Sequence, residues 1–154
     1  MICGGKWSKV VKLKGEYSHT TDDKGRIIVP VKLRDELGES FIITKGLDGC
    51  LWMFDMTEWE KIEEQIRNMP FTLKEARLLS RFILAGAYDC EPDKQGRMLI
   101  PPTLREYAGI TKDVVFAGVG NKVEVWAKEK YDDASNFDNM DEIAEKLIDL
   151  GFRL

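Results

Sequence analysis

Histidine is nearly missing from this 154-residue chain, which holds only His19, and its cysteines are few and scattered. Cys3, Cys50 and Cys90 are odd in number, and none belongs to a Cys-x-x-Cys pair. That pattern argues against a structural zinc site, a His-based metal centre and a disulfide framework. No stretch approaches the roughly 18 apolar residues of a membrane span. The opening MICGGKWSKVVKLK has four lysines and no acid, but it lacks the apolar run of a signal peptide. A cytoplasmic protein with no membrane partner is expected. There is no phosphate loop and no G-x-G-x-x-G, so neither a cofactor nor a small-molecule substrate is expected. Positive charge is short as well. The net charge is −4, which weakly opposes a nucleic-acid partner, because phosphate contact needs clustered Lys and Arg.

The distribution of charge says more than its sum. Residues 1–54 hold 9 basic and 7 acidic residues, whereas residues 128–154 hold 4 basic and 8 acidic. An acidic tail can thus mask a basic face. With 44% apolar and 32% charged residues, the chain has the composition of a folded soluble protein rather than a disordered one.

One segment is present twice. Residues 15–38 read GEYSHTTDDKGRIIVPVKLRDELG, and residues 86–109 read GAYDCEPDKQGRMLIPPTLREYAG. Without a gap, 9 of 24 positions are identical, where unrelated sequences give about one or two. After a one-residue slip the likeness continues more faintly, with KGLDGCLWMFDMTEW at 45–59 beside AGVGNKVEVWAKEKY at 117–131.

Each copy reads as strand, turn, strand, short helix, strand, turn, strand. Residues 17–21 and 88–91 suit short strands. In the Asp-x-x-Gly turns, Asp22 and Asp93 bond backbone two residues on, and Gly25 and Gly96 accept positive φ. Arg26-Ile-Ile-Val and Arg97-Met-Leu-Ile are brief apolar strands. Pro30 and Pro101-Pro102 open helices that carry Leu33 and Leu37, or Leu104 and Ala108, on one face. Gly38 and Gly109 stop them. Strands follow at 40–44 and 50–54, and at 114–117 and 122–126.

A unit of about 40 residues is too small to bury a good core alone. Interleaving two copies in one pseudo-twofold β-barrel would solve this, and would also cover the strand edges. Two separate small domains are the alternative. Between the copies, residues 57–68 carry Trp59, Ile62 and Ile66 on one face, and Pro70 ends that helix. Thr72 with Glu75 spells a capping box for a helix running to Gly86. A last helix starts at Asp138 or Asp141 and stops at Gly151. The expected division is an extension over 1–14, a first repeat over 15–59, connecting helices over 60–85, a second repeat over 86–131 and a C-terminal helix within 132–154.

D-x-x-G-R-[IM]-[IL]-[VI]-P-x-x-L-R, once per half, resembles the AbrB-like swapped-hairpin transcription factors. The doubled form with two helices between copies resembles the MraZ family, and the likeness runs from Gly15 to about Phe152. The resemblance implies an α+β fold: a swapped-hairpin β-barrel of AbrB type built from two repeats, with flanking amphipathic helices. It also implies ring-like homo-oligomers that bind double-stranded DNA at short, direct, G-containing repeats near the protein's own promoter. The implied output is repression of the bacterial division and cell-wall gene cluster, from a place on the nucleoid.

Carried over by position, the resemblance makes Arg26 and Arg97 DNA contacts, with Arg34 and Arg105 at a second DNA-facing position. The chemistry agrees, since Arg donates two parallel hydrogen bonds to guanine O6 and N7. Lys24 and Lys94 share those turns and suit phosphate. The first copy has Lys24, Lys32 and Lys45 where the second has Gln95, Thr103 and Ala117. The first copy is therefore expected to carry more of the DNA contact. The competing reading is structural. Arg26 and Arg97 can pair with Asp22 and Asp93 across the turn, and Arg34 and Arg105 with Asp35 and Glu106. Two other function classes stand beside this one. His19 and Cys90 hold equivalent positions and would form a Cys–His nucleophile pair if brought together. An antitoxin is the other, but such barrels carry one copy and a disordered tail.

Overall fold

The computed structural model describes residues 10–154, which form eight strands and six helices. The first copy contributes β1 (Leu13–Thr20), β2 (Arg26–Ile28), α1 (Val31–Leu37), β3 (Phe41–Lys45) and β4 (Leu51–Asp55). The connecting helices are α2 (Met56–Arg67) and α3 (Lys74–Ile83). The second copy contributes β5 (Tyr88–Cys90), β6 (Arg97–Leu99), α4 (Pro102–Ala108), β7 (Asp113–Gly120) and β8 (Val123–Ala127). Helices α5 (Lys128–Ala134) and α6 (Met140–Asp149) close the chain.

Six strands form one antiparallel sheet in the order β1-β7-β8-β4-β3-β5, and β2 pairs with β6 in a separate two-stranded ribbon. Exchanging the two copies reverses the sheet order onto itself. The registers obey the same exchange. In the ribbon, Arg26 faces Leu99 and Ile28 faces Arg97, so the pseudo-twofold passes between Ile27 and Met98. In the sheet, Leu51 faces Val125 and Met53 faces Val123, so it passes between Trp52 and Glu124. Four pairings join opposite copies, namely β1–β7, β2–β6, β3–β5 and β4–β8; only β3–β4 and β7–β8 are internal to one. The fold is thus mixed α+β with two interleaved repeats.

Strand alternation sorts the side chains. Phe41 and Ile43 enter the main core with Leu33, Leu37, Leu104, Phe116, Val123 and Val125. Ile42 and Phe54, on the other face, pack with Trp59, Ile66 and Ile83 of α2 and α3. Thr44 is buried on that face, and its hydroxyl donates to the Ile83 carbonyl at 2.7 Å. The second copy repeats the arrangement with α5. Phe54 meets Trp59 at 6.0 Å between ring centroids, and Trp126 meets Tyr131 at 5.9 Å.

Several local expectations differ from the structure. Thr72 does not cap α3, whose N-cap is Leu73 with no side-chain bond. The Leu73 amide donates to the Pro70 carbonyl, closing a turn that delays the helix to Lys74. Arg77 then donates to the carbonyls of Phe71 and Thr72. The helix also ends before Gly86, at a Leu84 C-cap. At the C-terminus there are two helices, because α5 reproduces the position of α2 after the second repeat. Helix α6 is capped at Asn139, rather than Asp138 or Asp141, without a side-chain bond. Leu13 and Lys14, expected to precede the repeat, belong to β1, and Val11 and Leu13 are buried. Residues 1–9 of that expected extension lie outside the described residues.

The β1–β7 contact is tight where Gly15 faces Gly118. A Cβ at Gly118 would fall 2.5 Å from the Lys14 nitrogen and 2.8 Å from the Leu13 carbonyl carbon. Both are backbone atoms and cannot swing aside. Gly118→Ala is therefore expected to destabilise the protein by ~1–3 kcal/mol, read as a lower midpoint in urea unfolding.

Candidate nucleic-acid interface

The β2–β6 ribbon presents two unlike faces. Ile27 and Met98 point into the core, 1% and 3% exposed. Alternation sends Arg26, Ile28, Arg97 and Leu99 to the opposite face, where Ile28 and Leu99 are 45% and 51% exposed. Each arginine thus sits directly across the ribbon from an exposed aliphatic side chain.

The turns that lead into the ribbon hold the arginines. Asp22 Oδ1 accepts from the amides of Lys24 and Arg26, both at 2.9 Å, and its Oδ2 accepts from Arg26 Nε at 2.7 Å. Asp93 does the same with the amides of Gln95 and Arg97 and with Arg97 Nε, all at 2.9 Å. These ion pairs use Nε; the Nη1–Nη2 edges carry no hydrogen bond among the described residues. Gly25 and Gly96 adopt φ of 83° and 81°, where a side chain is strained.

Arg34 and Arg105 lie elsewhere, each over the turn of the opposite copy. A Cβ at Gly25 would come 2.5 Å from Arg105 Cζ, and one at Gly96 would collide with the Arg34 guanidinium. Arg105 Nε also donates to the Ile100 carbonyl at 2.9 Å. The cross-copy stitching continues in the backbone, where the Val29 amide donates to the Gly96 carbonyl and the Ile100 amide to the Gly25 carbonyl. Lys24 and Lys94 are exposed at the turn tips.

Comparison with known proteins agrees with the doubled motif. Residues 13–82 and 83–150 each match the family described as "MraZ protein, putative antitoxin-like". The chain is 55% identical over 137 residues to "Transcriptional regulator MraZ" of Lachnoclostridium phytofermentans, covering 89% of this chain and 96% of that protein. It is 54% identical over 140 residues to the protein of the same name from Thermoanaerobacter sp. (strain X514), covering 90% and 98%. With that of Clostridium beijerinckii it shares 55% over 139 residues, covering 89% and 97%. The chain belongs to the MraZ family. These MraZ relatives are named as regulators, which is not an enzyme class.

In this MraZ chain Cys90 is a free thiol buried in the main core. His19 and Cys90 lie on β1 and β5, the strands at opposite ends of the sheet order. The His19 ring meets the edge of Phe116 at 6.0 Å between centroids. Burial pushes the Cys90 thiol up to about 12, as it does the Cys50 thiol, so both stay protonated at neutral pH. Lys45 sets its ammonium against the rings of Phe82 and Tyr107, at 5.5 and 5.8 Å from their centroids. No helix among the described residues is long and apolar enough to cross a membrane.

Sequence reasoning missed Ile28 and Leu99 as members of the face. The period-2 position after each Arg carries the signal, but the runs Ile-Ile-Val and Met-Leu-Ile are apolar throughout, so alternation does not show in residue type. It also missed the crossing of Arg34 and Arg105, which no spacing within one copy can show.

The aspartates make the turns pH-sensitive. Backbone hydrogen bonds from Arg26 and Arg97 hold the two carboxyls below their ordinary value of 3.8, helped by the guanidinium of the same residue. A depressed carboxyl stabilises the fold fully above its unfolded value and loses that contribution as pH falls through its folded value. The Arg26 and Arg97 Nε–H resonances are therefore expected to leave their neutral-pH positions at lower pH than an unpaired aspartate would dictate. An NMR titration that showed collapse at pH 5 would contradict this turn.

Proposed function

We propose that this chain is a sequence-specific DNA-binding transcriptional regulator, and that it reads DNA with the β2–β6 ribbon. The observation that carries the reading is the pair of arginines on one exposed ribbon face, each braced through Nε by an aspartate of its own turn. The major groove admits a two-stranded β-ribbon, and bidentate Arg–guanine contact is its commonest specific readout. A braced guanidinium loses less freedom on binding. Lys24 and Lys94 at the turn tips contact phosphate and set the register. Arg34 and Arg105 supply a second DNA-facing position, each beside the turn that carries the other copy's base-reading arginine. On this reading the fold is the pseudo-twofold swapped-hairpin barrel of the AbrB type, a reading supported by the four pairings between opposite copies.

One chain offers a small basic footprint, so affinity is gained by self-assembly. Ring-like homo-oligomers place several ribbons on short direct repeats, raising affinity through effective concentration. Apolar side chains outside the core support this. Phe71 and Leu78 near α3, and Ile143, Leu147 and Leu150 along α6, are all exposed in the single chain. The output is repression of the division and cell-wall gene cluster, including the protein's own gene, at the nucleoid. Residues 128–134 and 140–149 fold into helices, which supports a stand-alone regulator over an antitoxin. The test is a gel shift on the DNA upstream of its own gene, at low salt, with mass measured in solution. Failure of the wild-type protein to bind that DNA would overturn the reading.

A further inference from the structure

Two aliphatic side chains on the reading face have no task in the contacts described so far. Ile28 and Leu99 are about half exposed, yet they sit between and opposite the arginines on a three-residue ribbon. Strand geometry leaves no ambiguity about the face. Ile27 and Met98 fill the inward positions, so their neighbours point outward. The pseudo-twofold repeats the pattern: Arg26 faces Leu99, and Arg97 faces Ile28. A lone exposed aliphatic residue needs no explanation. Two at equivalent positions on a face with two guanidinium groups form a mixed apolar and cationic surface.

Resting on the reading above, we propose that Ile28 and Leu99 contact the C5 methyl groups of thymines beside the guanines taken by Arg97 and Arg26. The thymine methyl is the apolar feature of the major-groove edge. Residues directly opposite in an antiparallel pair have Cβ atoms about 5 Å apart. Successive bases on one strand are about 3.4 Å apart. One Arg and its cross-strand aliphatic partner therefore span one to two base steps, so the ribbon selects a thymine within about two steps of each guanine. Charge decides the occupant. A second copy docking this face on itself would set guanidinium against guanidinium, whereas DNA supplies both the negative field and the methyls.

The test compares two versions of the fragment upstream of the gene, one amplified with dTTP and one with dUTP, which lacks the methyl. Wild-type protein is expected to bind the uracil fragment about three- to five-fold more weakly for each methyl contacted. The I28S/L99S variant is expected to bind both fragments equally, at the weaker level. The single variants I28S and L99S are expected each to lose about half of the discrimination on a logarithmic scale. Melting curves matching wild type confirm that these exposed substitutions leave the fold intact. Equal wild-type binding to the two fragments overturns the proposal while leaving the DNA-binding reading standing. So does discrimination that persists in the double variant, because the methyls would then be read elsewhere. A wild-type protein that binds neither fragment fails the underlying reading instead.

Discussion

Replacing Arg26 and Arg97 together with alanine is expected to weaken binding to the upstream DNA by a factor of about 100 or more. Each bidentate Arg–guanine contact discriminates by ~1–3 kcal/mol, and the two sit on separate strands of one ribbon. Their ion pairs with Asp22 and Asp93 join half-exposed groups. Such exposed pairs contribute ~1 kcal/mol or less, so the double variant is expected to remain folded by circular dichroism. Arg→Lys at both positions separates the possible roles. Lysine keeps the charge but not the two parallel donors, so restored binding would reduce the arginines to phosphate contacts. The single variants test symmetry. The surplus of lysines in the first copy predicts a larger loss for Arg26→Ala. The structure gives the two arginines matching partners and nearly matching exposure, 38% and 36% of the side chain, and Lys45 is occupied by two rings. Equal losses would show that local geometry outweighs the surrounding field.

A chain cut to its first half, residues 10–85, is expected to have no stable folded monomer. It would retain the β3–β4 hairpin but lose the partners of β1, β2, β3 and β4 on the other copy. A two-stranded hairpin is marginal at best in water, and the main core draws on Met98, Leu104, Phe116 and Val125 from the missing half. Two outcomes fit the interleaved pairing. The half-chain is unfolded, or it dimerises so that a second copy of itself fills the place of the second repeat. Sedimentation and circular dichroism together distinguish these from a folded monomer, which would contradict the cross-copy pairing. Mixing the two halves is expected to restore a folded 1:1 complex.

Much of the local structure was legible because it is written in short-range chemistry. An Asp two residues before an amide, with Gly one step further on, closes a turn whatever the rest of the chain does. Apolar alternation and the i, i+4 leucines placed the strands and short helices for the same reason. Where short-range signals competed, reading failed. Thr72 and Glu75 spell a capping box, but the Pro70 carbonyl captured the Leu73 amide first.

The opening scarcity of histidine and cysteine, and the doubled motif, needed no structure to point away from a metal centre and towards two equivalent units. Which strand pairs with which did need it. Backbone hydrogen bonds are the same between any two strands, so a sequence in which each copy has a complete set of edges is compatible with separate domains or with exchange. Exchange wins here because a 40-residue unit cannot bury enough surface alone. It is the exchange that brings Arg26 and Arg97 onto one ribbon, lays Arg34 and Arg105 over each other's turns, and turns two short motifs into a single face.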